Sequence, residues 1–253
     1  MYFKKLVKKI TRSYGFEIKR LRAEEHNFPD VAPFIVSTYK KVRPYTMTSP
    51  ERIFSLCEAV KYIQDKHVEG DIVECGVWKG GSMMAVAETL LKAGDTSRNL
   101  YLFDTFEGMS PPTENDVDIA GGTAKSLLER SDKDKDESVW CNASLDVVKT
   151  ALSSTGYPSE KIHYVKGMVE QTIPNLVPDK IALLRLDTDW YESTKHEMEH
   201  LFPRLSKGGV LIIDDYGHWQ GARKAVDEYL EKNNVTILLN RIDYTGRIAV
   251  KVD

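Results

Sequence analysis

The chain has 253 residues, of which 42% are hydrophobic and 29% are charged, and its formal net charge at pH 7 is −3. This length allows a sizeable hydrophobic core, and the composition excludes disulfide-scaffold, collagen-like and wholly disordered proteins. The pI near 6.1 argues against a protein that coats nucleic acid, so we expect no nucleic-acid partner. The three cysteines are widely spaced and form no CxxC pair, which favours a reducing, cytoplasmic location.

The N-terminus departs from this charge balance. Residues 1–22 carry eight Lys and Arg against one Glu, with aromatic and aliphatic side chains between them. One interpretation is a basic amphipathic helix that contacts an anionic lipid surface, on the inner face of a membrane, or a partner. The other is a solvated extension or an oligomer arm. We therefore predict a basic N-terminal extension over residues 1–44 and a main domain over residues 45–253.

Short apolar runs alternate with amphipathic stretches along the main domain. Several of these runs are nearly continuous in Val, Ile and Leu, which is typical of strands buried on both faces. The predicted strands cover residues 71–75, 99–103, 162–166, 181–186, 209–213, 235–239 and 247–250. The predicted helices cover residues 50–67, 82–93, 144–155, 192–205 and 221–232. The alternation predicts a Rossmann-like, doubly wound α/β fold with a seven-stranded sheet. A turn signal at residues 243–246 predicts that the last two strands form an antiparallel hairpin.

One segment does not fit the alternation. Residues 110–140 contain a Pro-Pro pair, a Gly-Gly pair and the charged run ERSDKDKDES at residues 129–138. This run is too polar to be buried, so we expect an exposed loop there. Long loops in compact domains are often lids. We therefore predict a mobile, lid-like insertion over residues 110–140.

A glycine-containing loop follows the first strand. The sequence from Glu74 through Gly76 to Ser82 has the pattern GxxxGG and leads from a strand into a helix. Ligands of open α/β sheets bind beyond the carboxyl ends of the strands, and glycine allows the backbone to approach them closely. The absence of GxGxxG weighs against a pyrophosphate-bound dinucleotide. Glu74 would suit a ligand with a cationic part. The alternative is a turn that only joins strand to helix.

A second acidic residue strengthens the case for a ligand. Asp104 directly follows the second predicted strand. A carboxylate at this point typically accepts hydrogen bonds from ribose hydroxyls. The alternative is a surface aspartate that caps the strand end. Taken together, Glu74, the glycine loop and Asp104 indicate an adenosine ligand without pyrophosphate, which points to S-adenosylmethionine.

Three aspartates follow two further strands. Asp187 follows the fourth predicted strand, and Asp214 and Asp215 follow the fifth. If these strands are adjacent and parallel, the three carboxylates lie close together, and their mutual repulsion calls for a cation. All-oxygen ligation selects Mg²⁺ first, with Mn²⁺ or Ca²⁺ as alternatives. The structural alternative is helix capping and pairing with arginine or lysine. Asp189 could cap the following helix. His218 and Trp219, which follow Asp214 and Asp215 in the sequence, are expected to line the site.

Four motifs resemble the macrocin O-methyltransferase family. They are ECGVWKGGS, LFDTFEGM, LRLDTDWYEST and GGVLIIDDYGHWQGARKAVDEY. The resemblance covers the chain from about residue 45 to the C-terminal hairpin. It implies a class I methyltransferase fold and Mg²⁺-dependent transfer of a methyl group from S-adenosylmethionine to a sugar hydroxyl. It also implies a homo-oligomer.

The resemblance also assigns roles to residues. It implies that Asp187, Asp214 and Asp215 hold the metal and that Asp187 also takes the proton of the acceptor hydroxyl. It places Asp104 at the cofactor ribose and the glycine loop beneath the methionine moiety. The remaining implied cofactor contacts are Thr46, Met47, Glu74, Gly76, Val77, Trp78, Ser82, Ser144, Gly167 and Met168.

Three other functions are weighed against this one. A flat apolar pocket would favour a catechol or other vicinal diol as acceptor, whereas polar lid residues favour a sugar. A nicotinamide-dependent oxidoreductase is disfavoured by the missing GxGxxG. A non-catalytic, membrane-tethered scaffold would leave the acidic cluster unexplained.

Overall fold

The computed structural model describes residues 28–135 and 138–252 and is built on one central sheet. Its strands are β1 (Asp71–Cys75), β2 (Leu100–Asp104), β3 (Ile162–Lys166), β4 (Ile181–Leu186), β5 (Leu205–Ile213), β6 (Asn240–Arg241) and β7 (Arg247–Val250). Their order in the seven-stranded sheet is β3-β2-β1-β4-β5-β7-β6. Strands β1 to β5 pair in parallel, whereas β7 is antiparallel to both β5 and β6. The predicted doubly wound sheet with an antiparallel C-terminal hairpin is confirmed.

Eight helices of the described residues precede the first strand or lie between strands. They are α1 (Pro33–Val42), α2 (Pro50–Asp65), α3 (Gly81–Lys92), α4 (Ala124–Arg130), α5 (Leu145–Ser153), α6 (Val169–Thr172), α7 (Tyr191–His200) and α8 (Gln220–Lys232). Short 3₁₀ turns lie at Arg43–Tyr45, Ser159–Lys161 and Phe202–Arg204. Helix α2 begins as the sequence predicts, because the Ser49 side chain caps it by accepting a hydrogen bond from the Arg52 amide at 3.2 Å. No helix of the described residues is long and apolar enough to cross a membrane.

The core lies on both faces of the sheet. Helices α1, α2, α3 and α5 pack on one face, and α6, α7 and α8 pack on the other. All six residues of β4 are buried, which accounts for its almost unbroken apolar sequence. Helix α1 contributes Ile35 and Val42 to the same core, so the packed fold includes residues before position 45. The basic segment of residues 1–22 lies outside the described residues.

The segment of residues 110–140 contains more structure than the sequence suggested. Helix α4 forms within it, with Thr123 as its N-cap, and two of its residues, Ala124 and Leu128, are buried. These side chains pack in a small cluster with Trp190 and Trp219, which follow strands β4 and β5. Among the described residues of the charged run, residues 129–135 are exposed or half-buried, as predicted, although its first two residues belong to α4. The apolar partners are distant in sequence, so the local pattern did not indicate the helix.

One predicted strand is wrong. Residues 235–239 carry no strand structure, and the partner of β7 is instead β6, in which Arg241 pairs with Arg247. Val235, Ile237 and Leu239 still pack against the core, whereas the side chain of Leu238 is exposed. The apolar run therefore indicated the packing of Val235, Ile237 and Leu239 but was wrong for Leu238. In this hairpin, pairing with β7 is confined to Asn240 and Arg241, which follow the apolar run, so the run did not locate the strand.

Gly76 is a position where the fold has no room for a side chain. It has φ +81°, and a Cβ atom there would lie 2.0 Å from the carbonyl oxygen of Asp187. We expect Gly76→Ala to lower the free energy of unfolding by at least about 3 kcal/mol, because the clash adds to the backbone strain. Urea denaturation measures this change.

Gly94 provides the matched control. It also has a left-handed backbone, with φ +75°, but nothing lies within 4 Å of the point that a Cβ atom would occupy. Gly94→Ala should therefore cost only about 1 kcal/mol, which reflects the backbone conformation alone. Equal losses in the free energy of unfolding of the two variants would show that the close approach of Gly76 to Asp187 is not what requires glycine at position 76.

Candidate active site

A cavity of about 430 Å³ opens at the carboxyl ends of the parallel strands. The loops after β1, β2, β3, β4 and β5 form its walls, at the edge of the sheet where open α/β folds bind ligands. Twelve of the residues predicted from the sequence line it: Thr46, Met47, Gly76, Val77, Trp78, Ser82, Asp104, Gly167, Met168, Asp187, Asp214 and Asp215. The two predicted residues that do not line it are Glu74 and Ser144.

The acidic cluster is formed by adjacent strand ends. Asp187 follows β4, and Asp214 and Asp215 follow β5; carboxylate oxygens of all three lie within 4.8 Å of one another. The two loops are joined by a hydrogen bond from the Asp214 amide to the Leu186 carbonyl at 2.9 Å. The Asp215 Oδ2 atom is buried and has no hydrogen-bond partner among the described residues. This arrangement of oxygen atoms is suited to a hard cation.

Arg185 neutralises part of the negative charge of these carboxylates from the side of the sheet. Its side chain is 3% exposed, and Nη1 donates to Glu74 Oε1 at 2.7 Å and to Asp187 Oδ2 at 2.6 Å. Its Nη2 donates to Asp214 Oδ1 at 2.5 Å. Burial by itself would lower the pKa of Arg185, but the surrounding carboxylates outweigh it and raise that pKa well above its ordinary value. A second guanidinium, from Arg52 in α2, contacts Asp214 Oδ2.

The aspartates themselves are strongly desolvated. Burial raises the pKa of Asp187 well above its usual value, Arg185 opposes that shift, and neighbouring aspartates add to it. Burial, followed by the charges of Asp189 and Asp214, does the same for the pKa of Asp215. Burial also raises the pKa of Asp189 to about 7, the adjacent Asp215 side chain acts in the opposite direction, and the charges of Asp187 and Asp214 add to the shift. The cluster therefore holds protons readily unless a cation compensates its charge.

The position of Glu74 in the sequence suggested that it faces a cationic part of a ligand, but Glu74 is paired with Arg185 instead. In the register of the sheet, Glu74 of β1 is the neighbour of Arg185 of β4. The Glu74 side chain is 1% exposed and is bonded to that guanidinium, not directed into the cavity. Burial raises its pKa to about 7, with Arg185 acting in the opposite direction. Ser144, the other residue outside the cavity, is the exposed N-cap residue of α5.

Asp104 organises the glycine loop. Its Oδ2 accepts hydrogen bonds from the amides of Val77 at 2.6 Å and Trp78 at 3.2 Å, and its Oδ1 accepts one from Phe106 at 2.6 Å. Burial nevertheless raises the pKa of Asp104, and the three amides only partly oppose that shift. The carboxylate thus fixes the loop that lines the cavity.

The segment before α2 folds over the start of α3. A Cβ atom on Gly81 would lie 2.6 Å from the Tyr45 carbonyl oxygen and 2.7 Å from the Thr46 Cβ atom. This close approach brings Thr46 and Met47 to the cavity beside the glycine loop. Only glycine allows the two segments to pack at this distance.

Sequence reasoning missed several groups at the site. Arg52 and Glu197 gave no local signal, whereas Arg185 was detectable as a charged residue inside an apolar strand. Glu197 is fully buried behind the cavity and accepts a hydrogen bond from Thr188 Oγ1 at 2.9 Å. Asp189 does not cap α7; the backbone amide of Tyr191 is bonded instead to Asp116 of the insertion, at 2.7 Å. His218 and Trp219 line the cavity, as the sequence suggested.

This fold and site define a class I methyltransferase. The structure superposes on the O-methyltransferase NovP with a TM-score of 0.73, at 28% sequence identity over 83% of each chain. The sequence model of the macrocin-O-methyltransferase (TylF) family matches residues 23–250. The chain belongs to this family and is an S-adenosylmethionine-dependent O-methyltransferase.

Two curated relatives have a similar degree of identity to the chain. The 8-demethyl-8-(2,3-dimethoxy-alpha-L-rhamnosyl)-tetracenomycin-C 4'-O-methyltransferase of Streptomyces olivaceus is 31% identical over 218 residues, which cover 86% of this chain and 80% of the relative. The mycinamicin III 3''-O-methyltransferase of Micromonospora griseorubida is 32% identical over 203 residues, which cover 80% and 76%. The similarity therefore spans most of each chain.

Removing the positive charge of Arg185 should destabilise the fold, because the buried carboxylates around it would no longer be neutralised. We expect Arg185→Met to lower the free energy of unfolding by about 3–5 kcal/mol at pH 7, because Glu74, Asp187 and Asp214 would lose their shared partner. Urea denaturation measures the change. Arg223→Met, which removes an exposed guanidinium from α8, serves as the control and should cost less than about 1 kcal/mol. Similar losses in both variants would contradict the central role of Arg185.

Proposed function

We propose that the protein transfers the methyl group of S-adenosylmethionine to a hydroxyl group of a sugar or glycosylated small molecule and that it requires Mg²⁺. The observation that carries this proposal is the cluster of three carboxylates beside the cavity of the glycine loop. The names of the relatives support it, since one describes a rhamnosyl tetracenomycin and another mycinamicin III.

The metal would be held by Asp187, Asp214 and Asp215. Their donors are all oxygen, and the buried Asp215 Oδ2 lacks a partner among the described residues, which is a cost that a bound cation would remove. All-oxygen ligation favours Mg²⁺, and Mn²⁺ would also fit. When bound, the ion would lower the pKa of a neighbouring hydroxyl and orient it.

The cofactor would occupy the half of the cavity above β1 to β3. S-adenosylmethionine supplies the methyl group when it is bound there. We propose that Asp104 accepts hydrogen bonds from its ribose and that the loop of Gly76, Val77 and Trp78 lies beneath its methionine part. Further contacts would come from Thr46, Met47, Ser82, Gly167 and Met168. Glu74 would act indirectly, by holding Arg185, and Ser144 would make no contact.

Residues of the chain itself would accept the proton of the acceptor hydroxyl and align the reacting atoms. A sugar hydroxyl is a weak nucleophile until its proton is removed, and we propose that the Asp187 carboxylate accepts that proton. Arg185 fixes the orientation of this carboxylate through its bond to Oδ2. The fixed strand ends would hold acceptor oxygen, methyl carbon and sulfur in line. Residues of the 110–140 insertion and its flanks, including Met109 and Val139, line the cavity and would exclude water.

A direct assay distinguishes the acceptor classes. The intact protein would be incubated with S-adenosylmethionine and Mg²⁺, and release of S-adenosylhomocysteine would be measured. The acceptors would be the methyl glycosides of L-rhamnose, D-glucose, D-mannose and D-galactose, with 3,4-dihydroxybenzoate as the vicinal diol. Turnover of one or more glycosides supports the proposal. Turnover of the catechol alone would replace the sugar with a catechol acceptor.

Loss of one proposed metal ligand should separate catalysis from cofactor binding. We expect Asp215→Asn to lower kcat by about 10²-fold or more, since one charged ligand is lost. The dissociation constant of S-adenosylhomocysteine, measured by calorimetry, should change little. Removal of divalent ions with EDTA should have the same effect on the wild-type protein, reversed by added Mg²⁺. Asp179→Asn, on a fully exposed carboxylate, is the control. Full activity after EDTA treatment would overturn the metal requirement.

Loss of Asp104 should affect binding of the cofactor. We expect Asp104→Ala to weaken S-adenosylhomocysteine binding by roughly tenfold to 100-fold, because the ribose would lose its acceptor and the glycine loop its anchor. Calorimetric titration measures this change. The control is Glu107→Ala, three residues further on, where the carboxylate is 69% exposed. Unchanged affinity in the Asp104 variant would exclude this site for the nucleoside.

The basic segment of residues 1–22 and the oligomeric state remain predictions. We propose that the segment contacts an anionic membrane surface and that the protein forms a homo-oligomer. Liposome sedimentation of the intact chain and of a chain lacking residues 1–22 tests the first proposal. Unchanged sedimentation after the deletion would count against it. Light scattering tests the second.

A further inference from the structure

The half of the cavity beyond the acidic cluster has a wall of its own. In the order of the sheet, β1, β2 and β3 lie on one side of β4, and β5 and β7 lie on the other. If the cofactor occupies the first side, the acceptor must approach the aspartates from the second. The surface there is formed by the turn after Asp215 and by residues 243–246 between β6 and β7.

The turn of residues 243–246 is fixed to the acidic loop. The Gly217 amide donates to the Thr245 carbonyl at 2.8 Å, and Thr245 Oγ1 donates to the carbonyl of Asp214. A Cβ atom on Gly217 would lie 1.9 Å from the Tyr244 carbonyl oxygen, so the two backbones are in direct contact. The Asp243 Oδ1 atom accepts from the amides of Thr245 and Gly246 and closes the turn. The turn therefore presents its side chains at a defined position relative to the aspartates.

Three rings stand together on this side, and we call them the ring wall: His218, Trp219 and Tyr244. The ring centroids of His218 and Trp219 lie 4.9 Å apart at 79°, and those of His218 and Tyr244 lie 6.0 Å apart at 90°. Trp219 is buried against Trp190 at 4.9 Å, which supports the wall from behind. All three members line the same cavity as the acidic cluster.

The ring wall also carries a polar edge. The Tyr244 hydroxyl lies 3.2 Å from His218 Nδ1, so this contact fixes the imidazole. His218 Nε2 has no hydrogen-bond partner among the described residues. The backbone amide of His218 donates to the Asp215 carbonyl at 2.9 Å, which keeps the imidazole close to the acidic cluster. The wall thus combines apolar ring surface with one open hydrogen-bonding nitrogen.

We infer that the ring wall is the acceptor subsite and that it takes a pyranose ring. This inference rests on the proposed function. The apolar C–H edge of the sugar would lie against Tyr244, and a hydroxyl next to the methylated one would bond to His218 Nε2. A pyranose presents both an apolar edge and polar hydroxyls, which matches aromatic rings with a polar edge. Tyr244 is 54% exposed, so the rest of a larger glycoside can extend past it into solvent.

The first test uses the unaltered protein. With Mg²⁺ and S-adenosylhomocysteine present, saturation-transfer NMR would be recorded on each of the four methyl glycosides named above. Saturation of the protein's aromatic protons should reach the C–H protons of at least one pyranose. Binding without transfer from aromatic protons would overturn the ring wall as the subsite.

The second test uses substitutions in the ring wall, with the best glycoside as acceptor. We expect Tyr244→Ala to raise KM by about tenfold, because the sugar would lose contact surface. The kcat value should stay within about twofold of the wild type, because the reacting groups are unchanged. Tyr244→Phe keeps the ring and should raise KM by less than about threefold. His218→Ala should raise KM by about tenfold. In each variant the affinity for S-adenosylhomocysteine and the midpoint of thermal unfolding should match the wild-type values, which shows that the fold and the cofactor site are intact.

Tyr216→Ala is the matched control. Tyr216 lies in the turn after Asp215, two residues before His218, but its hydroxyl donates to Asp227 at 2.7 Å and its ring does not line the cavity. Its KM should equal that of the wild type. If glycosides turn over and Tyr244→Ala leaves KM unchanged, the ring wall is excluded while the proposed function stands. If the protein binds S-adenosylhomocysteine but neither binds nor methylates any glycoside, the proposed function fails and this inference fails with it.

Discussion

The site depends on the ion pairs that the Arg185 guanidinium forms with neighbouring carboxylates. Four carboxylates, those of Glu74, Asp187, Asp214 and Asp215, lie close together at the carboxyl ends of β1, β4 and β5. Such a cluster is unstable in a protein interior without compensating charge. Arg185 bonds to the first three from the sheet side. On the side of the cavity, Arg52 contacts Asp214, and Asp187 and Asp215 also line the cavity. Arg185 is thus the cation that three of the four carboxylates share, and it fixes their orientation from the side of the sheet.

The sheet also fixes the spacing between the two halves of the site. Gly76 passes so close to the Asp187 carbonyl that no side chain fits, and the Asp187 amide donates to the Cys75 carbonyl at 2.8 Å. The glycine loop and the acidic cluster are therefore parts of one backbone unit. Methyl transfer requires donor and acceptor to be aligned closely, and rigid strand ends provide that alignment better than loops do.

Two segments outside the regular α/β alternation complete the enclosure. The 110–140 insertion is anchored through buried Asp116, which caps α7, and the Trp190 indole donates to the Ser110 carbonyl at 2.9 Å. The C-terminal turn is anchored through Thr245. Both anchors attach to the segments that follow β4 and β5. A common sheet can therefore keep its chemistry while the attached segments adapt the cavity to an acceptor.

The sequence by itself determined the architecture and most of the cavity. Apolar runs located six of the seven strands, and polar residues at strand ends identified Asp104, Asp187, Asp214 and Asp215 as neighbours of one cavity, because parallel strands end at a common edge. Tertiary structure alone decided which charges pair. Glu74 was predicted to face a ligand, but strand register places it beside Arg185. Helix α4 and the contact of Arg52 likewise depend on partners far away in the chain. Local sequence encodes burial and backbone preference, whereas pairing across strands and loops exists only once the chain has folded.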